Sequence, residues 1–210
     1  MKLAHAGRLV PGSVAGVGRP LRHEAPGALY HVYSRGAVQL PVFLDDVDHG
    51  QFLQLLSTTV ERAGWLCHAY CLMGNHYHLV VETPEPTLAK GMHRLNLAYA
   101  RWFNLRTGRV GHAFDARYGS IMIESERHEL ELARYVVANP VLAGLCPAPE
   151  RWPWSSYQAT AGLAPRPAFL SVDRVLGHFR GDRRAYRRFV NDRIAAATFA
   201  RTATSDPHPP

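Results

Sequence analysis

The chain holds only three cysteines, Cys67, Cys71 and Cys146, in 210 residues. That excludes a disulfide framework, and a reduced, cytoplasmic setting is the expectation. No apolar signal core follows Lys2 and Arg8. No run is long and apolar enough to cross a bilayer, so no membrane partner is expected. No internal repeat is present. Acidic residues are also scarce: 17 Asp and Glu stand against 24 Lys and Arg, a formal charge of +7. That balance points to a polyanionic partner, most simply nucleic acid, with plain solubility as the alternative. Cys67 and Cys71 have C-x3-C spacing, but they fall in a strand-like run. A spacing of four returns to the same face, which suits small core residues better than a metal pair.

What is present is enough for one domain with tails, since 47% of the residues are apolar. Residues 1–26, rich in Gly, Pro and Arg, read as a poorly ordered leader. Ala28 to Gly36 alternates as a strand, and Asp45-Asp46 open an amphipathic helix that Gly64 ends. Trp65–Met73 and His76–Glu82 form a hairpin around the turn dipeptide Gly74-Asn75. Thr87 is the expected N-cap of a helix reaching about Arg106, with Leu88, Met92, Leu95, Tyr99, Trp102 and Phe103 on its apolar stripe. Asp115–Ser125 reads as a fourth strand, and Glu126 to about Asn139 as a helix stopped by Pro140, with Leu130, Ala133 and Val137 buried. The order is α+β: a ferredoxin-like antiparallel sheet with helices packed on one face. A C-terminal extension over residues 146–197 follows, with a basic helix from Asp173 to Ala197, and residues 198–210 read as a disordered tail.

His76-Tyr77-His78 carries the chemistry. Histidines two apart on a strand share a face and can hold one divalent ion. Taken alone, an H-x-H is more often incidental. On the late helix Tyr135 and Asn139 are four apart and share a face. A tyrosine hydroxyl can attack phosphorus where a metal polarises the phosphate, and an amide oxygen suits a hard cation. Two imidazoles and an amide leave open positions fit for Mg2+ or Mn2+. Asn before Pro is also a common helix stop, and Glu82 and His128 are rival ligands. Lys90, Arg94 and Arg101 gather on the polar face of the second helix. Arg117 and Tyr118, and Arg183, Arg184 and Arg187 of the basic helix, are further candidates for nucleic-acid contacts, with solvation or packing as the alternative. A small-molecule metal hydrolase lacks an evident base other than Glu82 and leaves the basic surface unexplained.

The segments Tyr30–Gly36, His68–Pro84, Gly111–Tyr118, Arg134–Leu145 and Trp152–Tyr157 together resemble the single-tyrosine HUH transposases, and within them the REP-associated tyrosine transposase branch. The resemblance runs in order from about Ala28 to Tyr157 and makes residues 27–145 the catalytic domain. It implies a metal on His76 and His78, Tyr135 as nucleophile and Asn139 assisting at the metal. It also implies cleavage and rejoining of single-stranded DNA at hairpins through a 5′-phosphotyrosine, by a monomer or homodimer. A catalytically silent hairpin DNA- or RNA-binding regulator is the alternative. Three positions depart from the family pattern: Gly74 for proline, Tyr77 for a small aliphatic residue, and Gly119 for lysine.

Overall fold

The structure is a computed structural model, and residues 24–204 are described, with side chains to residue 198. Four strands, β1 (Ala28–Arg35), β2 (Leu66–Leu72), β3 (His76–Thr83) and β4 (Gly119–Met122), form one antiparallel sheet in the order β2-β3-β1-β4. Helices α1 (Asp46–Ala63) and α2 (Leu88–Thr107) complete the expected ferredoxin-like unit. They cover one face, where Phe52, Leu56, Leu88, Met92, Leu95, Tyr99 and Phe103 meet Val32, Tyr77, Leu79 and Val81. Fully burying such side chains contributes roughly 1.5–3 kcal/mol each. Helix α3 (Glu126–Leu142) takes the opposite face, where Val136 and Tyr135 pack with Leu29, Ala69, Cys71, Met73 and Val80.

Local chemistry sets most element ends. Asp45 caps α1, its carboxylate accepting from Val47 N and Asp48 N at 3.0 and 3.2 Å, and Gly64 closes it in the left-handed region at φ 65°. Thr87 stands at the N-cap position of α2, but its side chain makes no capping hydrogen bond. Its hydroxyl instead accepts from Trp65 Nε1 at 2.9 Å, and Glu24 takes the Ala89 N–H at 2.7 Å. Ser125 caps α3 through His128 N. Pro140 lies inside α3 rather than stopping it. It stands near the helix end, and the Ala143, Gly144 and Leu145 N–H groups close on Asn139, Val141 and Pro140 carbonyls at 2.8–3.0 Å. Leu130 is only half-buried, whereas Ala133, Val136 and Val137 are enclosed.

A bulge in β2 corrects the cysteine reading. Cys67 pairs with Val81 and Ala69 with Val80, so two steps on β2 match one on β3. Cys67 therefore belongs to the core under α1 and α2, and Cys71 to the cluster under α3. Burial raises both thiols, that of Cys67 to about 12.

The extension shares the main core. Its first part lies along β2: Leu72 N donates to Trp154 O, Ser156 N to Tyr70 O and Ser171 N to Cys67 O, at 2.8–2.9 Å. The short helix α4 (Tyr157–Thr160) follows. The basic stretch is two helices, α5 (Asp173–Gly177) and α6 (Arg183–Thr204), broken where Arg180 and Gly181 have φ of 52° and 78° and where Asp182 caps α6. Tyr186 and Val190 bury α6 in the core. Helix α6 runs past the expected end at 197 to Thr204, and the rest of the tail lies outside the described residues, as does the leader before residue 24. Among the described residues no helix is long and apolar enough to cross a membrane.

Candidate active site

β3 presents His76 and His78 on the α3 side of the sheet, opposite Arg35 and Tyr33 of β1. Their rings stand nearly perpendicular, 5.0 Å between centroids. His76 Nδ1 lies 2.7 Å from Asn75 Oδ1. With the amide oxygen accepting, Nδ1 carries the proton and Nε2 keeps its lone pair. His78 Nδ1 lies 3.0 Å from Nε2 of His31, and the two rings stack at 5.1 Å and 22°. His31 was not a sequence candidate. Alternation on β1 puts it on one face with Tyr33 and Arg35, but only the β1–β3 register carries it to His78.

Burial lowers the pKa of His78 to about 3, helped by His31, His76 and Arg35, and lowers His31 to about 4, helped by His128. His76 is lowered by burial and by Arg35. These imidazoles are therefore neutral at pH 7, the form that binds a metal.

Helix α3 brings Tyr135 edge-on to His78, with ring centroids 5.7 Å apart at 74°. One turn on, the enclosed Asn139 Nδ2 has no hydrogen-bond partner. Among the described residues no group of three or more His, Cys, Asp or Glu side chains is gathered to hold a metal. The two neutral imidazoles are donors of the kind a divalent ion takes, whereas the unpartnered Asn139 atom is an N–H donor and does not itself ligate a metal. Glu82 is engaged elsewhere: it accepts from Arg174 Nη1 at 3.3 Å and pairs with His68 at 3.0 Å. His128 is half-buried and acts on His31 electrostatically.

A recess of about 350 Å³ opens beside the pair, lined by Tyr33, Arg35, His76, His78, Asp115 and Arg117 among others. A second, of about 710 Å³, lies between α2 and the 111–118 segment and shares the wall Asp115–Arg117. Arg101 lines this second recess, and Lys90 and Arg94 are exposed on the same helix. The fourth strand is shorter than expected, so Arg117 is exposed on a loop. Tyr118, 5% exposed, packs in the core and forms part of the wall of the second recess. Arg183, Arg184 and Arg187 are not brought into either recess. Arg183 reaches Ala159 O beyond the β2 edge, while the first recess is walled by Gly119 at the β4 edge.

Two departures find a physical reason. Tyr77 is fully enclosed and donates to Asn96 Oδ1 at 2.6 Å, so its ring has room and its hydroxyl a partner. Gly119 pairs with Tyr33, whose ring lies so close that a Cβ at 119 would come within 2.3 Å of its Cζ.

A family model described as "Transposase IS200 like" matches residues 26–139, more than half of the chain. No curated protein matches it significantly. Among solved structures, a REP-associated tyrosine transposase bound to a REP hairpin is similar at a TM-score of 0.60 and 13% identity, over 74% of this chain and 92% of that one. At that identity the likeness is one of fold. A putative transposase from Deinococcus radiodurans R1 aligns at 20% identity over 58% of this chain and 95% of that one, with a TM-score of 0.40. The ordered matches across the sheet and α3 lead to one conclusion: the chain belongs to the IS200-like transposase family.

Proposed function

We propose that this transposase cleaves and rejoins single-stranded DNA at hairpin sequences through a covalent link to Tyr135, as a member of the REP-associated branch. The observation that carries the reading is the Tyr135 ring against His78, which joins the late helix to the histidine strand within one chain. The meeting of Tyr135 and His78 within one chain supports action as a monomer, with a homodimer as the alternative. Residues 27–145 carry the chemistry, and 146–197 buttress α3.

His76, His78 and Asn139 would hold Mg2+ or Mn2+. Bound there, the ion supplies charge stabilisation to a phosphate and its departing oxygen. The protein's own groups do the rest. Asn75 and His31 fix the two imidazoles by their Nδ1 atoms. Tyr135 Oη gives up its proton to solvent as it forms the new P–O bond, the bond from phosphorus to the 3′ oxygen breaks, and that oxygen takes a proton from solvent and leaves as a 3′ hydroxyl. The phosphotyrosine keeps one phosphodiester for another, so the reverse attack reseals the strand without ATP. Arg35 and Arg117, on the recess beside His76, offer positive charge to the flanking phosphates.

Labelled hairpin DNA incubated with the protein and Mn2+ or Mg2+ tests this. A denaturation-resistant protein–DNA adduct is expected, and its equal yield with Tyr135→Phe would remove Tyr135 as the nucleophile. Hairpin binding without metal-dependent scission would favour the silent regulator.

A further inference from the structure

Tyr33 has a setting that packing alone does not require. It leaves β1 on the face that carries His76 and His78, lies directly across from His78, and remains 40% exposed. Its ring centroid is 5.4 Å from that of His31 and 6.3 Å from that of His78. On its other strand neighbour the chain has glycine: a Cβ on Gly119 would fall 2.3–2.7 Å from Cζ, Cε2 and the hydroxyl of Tyr33. The missing side chain at 119 is therefore the condition for the ring to lie where it does. The ring forms part of the recess that holds the neutral His76 and His78, and the charged groups of that recess are Arg35, Arg117 and Asp115. Two guanidinium groups against one carboxylate leave that recess cationic.

We propose that Tyr33, seated on Gly119, is a stacking platform for one unpaired nucleobase of the strand whose phosphate lies at His76 and His78. The proposal rests on the DNA reading above and adds a site to it. Every base offers a π-face, so an exposed tyrosine ring beside a cationic phosphate site binds a single strand with little regard to sequence. The same ring would be a poor neighbour for a duplex, whose bases are already stacked. Arg35 and Arg117 take the backbone on either side of that base, which makes the recess selective for a strand that is single where it is cut.

The test compares two probes on the full chain: a 20-nucleotide oligothymidine and an abasic phosphodiester strand of the same length and charge. Wild type is expected to bind the base-bearing strand about 5- to 150-fold more tightly, the span that one base–aromatic stack supplies. Tyr33→Phe should keep the preference. Tyr33→Ala should bind both strands alike, with affinity for the abasic strand unchanged. Gly119→Ala keeps the tyrosine but displaces its ring, and should lose the preference too. A preference that survives Tyr33→Ala, or one that wild type never shows, overturns the platform while leaving the DNA reading in place. No binding of either strand at low salt overturns both.

Discussion

Arg174 holds Glu129 in a two-pronged grip, Nε and Nη2 lying 2.8 and 2.9 Å from its two carboxylate oxygens. Its remaining nitrogen reaches Glu82 of β3. One side chain from α5 thus ties the start of α3 to the histidine strand, and Glu129 itself is 3% exposed. Arg174→Ala is expected to cost about 1–3 kcal/mol, because it strips charge-assisted hydrogen bonds from an enclosed carboxylate. Urea unfolding measures that loss. The adduct yield should drop with it, since the placement of Tyr135 depends on α3.

The pH dependence of stability follows from the same pair and from the histidines. Burial pushes Glu129 up, but Arg174 and His178 outweigh it and hold the carboxyl below its usual 4.5. Its contribution is present above that value and is lost as pH falls through the lowered one. His31 and His78 act in the same direction, with folded values of about 4 and 3 against 6.5. The unfolded chain takes up their protons below pH 6.5 and the folded chain does not. The metal-free protein should therefore lose stability progressively from pH 6.5 towards pH 4, by up to about 1.4 kcal/mol per pH unit for each such histidine. Urea midpoints across that range check it, and His78→Asn should flatten the slope.

His31 should decide which nitrogen of His78 carries its proton. If Nδ1 of His78 donates to Nε2 of His31, the His78 Nε2 lone pair faces outward, as a metal site needs. Imidazole ¹⁵N spectra of the metal-free protein are expected to show His78 protonated at Nδ1. His31→Ala should weaken Mn2+ binding by about 10- to 100-fold, the usual effect of removing such a partner. His31→Gln, which retains an acceptor oxygen, should recover part of it. Unchanged Mn2+ affinity in His31→Ala would leave His31 a packing residue.

Gly91 of α2 lies under the Trp65 ring, where a Cβ would come within 2.2 Å of an indole carbon. Gly91→Ala is expected to destabilise the fold by about 1–3 kcal/mol despite the better helix propensity of alanine, because overpacking outweighs it. Thermal unfolding measures it, and pairing the change with Trp65→Phe should recover part of the loss.

Much of this was legible one element at a time. The stripe Leu88, Met92, Leu95, Tyr99, Phe103 gave α2 within a residue at each end, and Asp45 and Gly64 marked α1. Errors came where a distant partner competed. Thr87 does stand at the N-cap of α2, but its hydroxyl serves Trp65 of the α1–β2 connection rather than the helix N–H groups. The cysteine parity failed at a bulge, which leaves no periodic mark. The basic stretch hid its break at Arg180 and Gly181 because its apolar residues continue on both sides.

By itself the sequence determined the elements, the basic balance and the candidates His76, His78, Tyr135 and Asn139, because periodicity and local spacing are written within each segment. Only the tertiary structure decided that α3 would cross the face opposite α1 and α2 and set Tyr135 against His78. It also decided that His31 and Tyr33 stand beside His78, that Glu82 is taken by Arg174, and that Tyr118 is core. Those outcomes depend on which strands pair and in what register. Side chains far apart in the chain set that register by packing together, and no local window contains it.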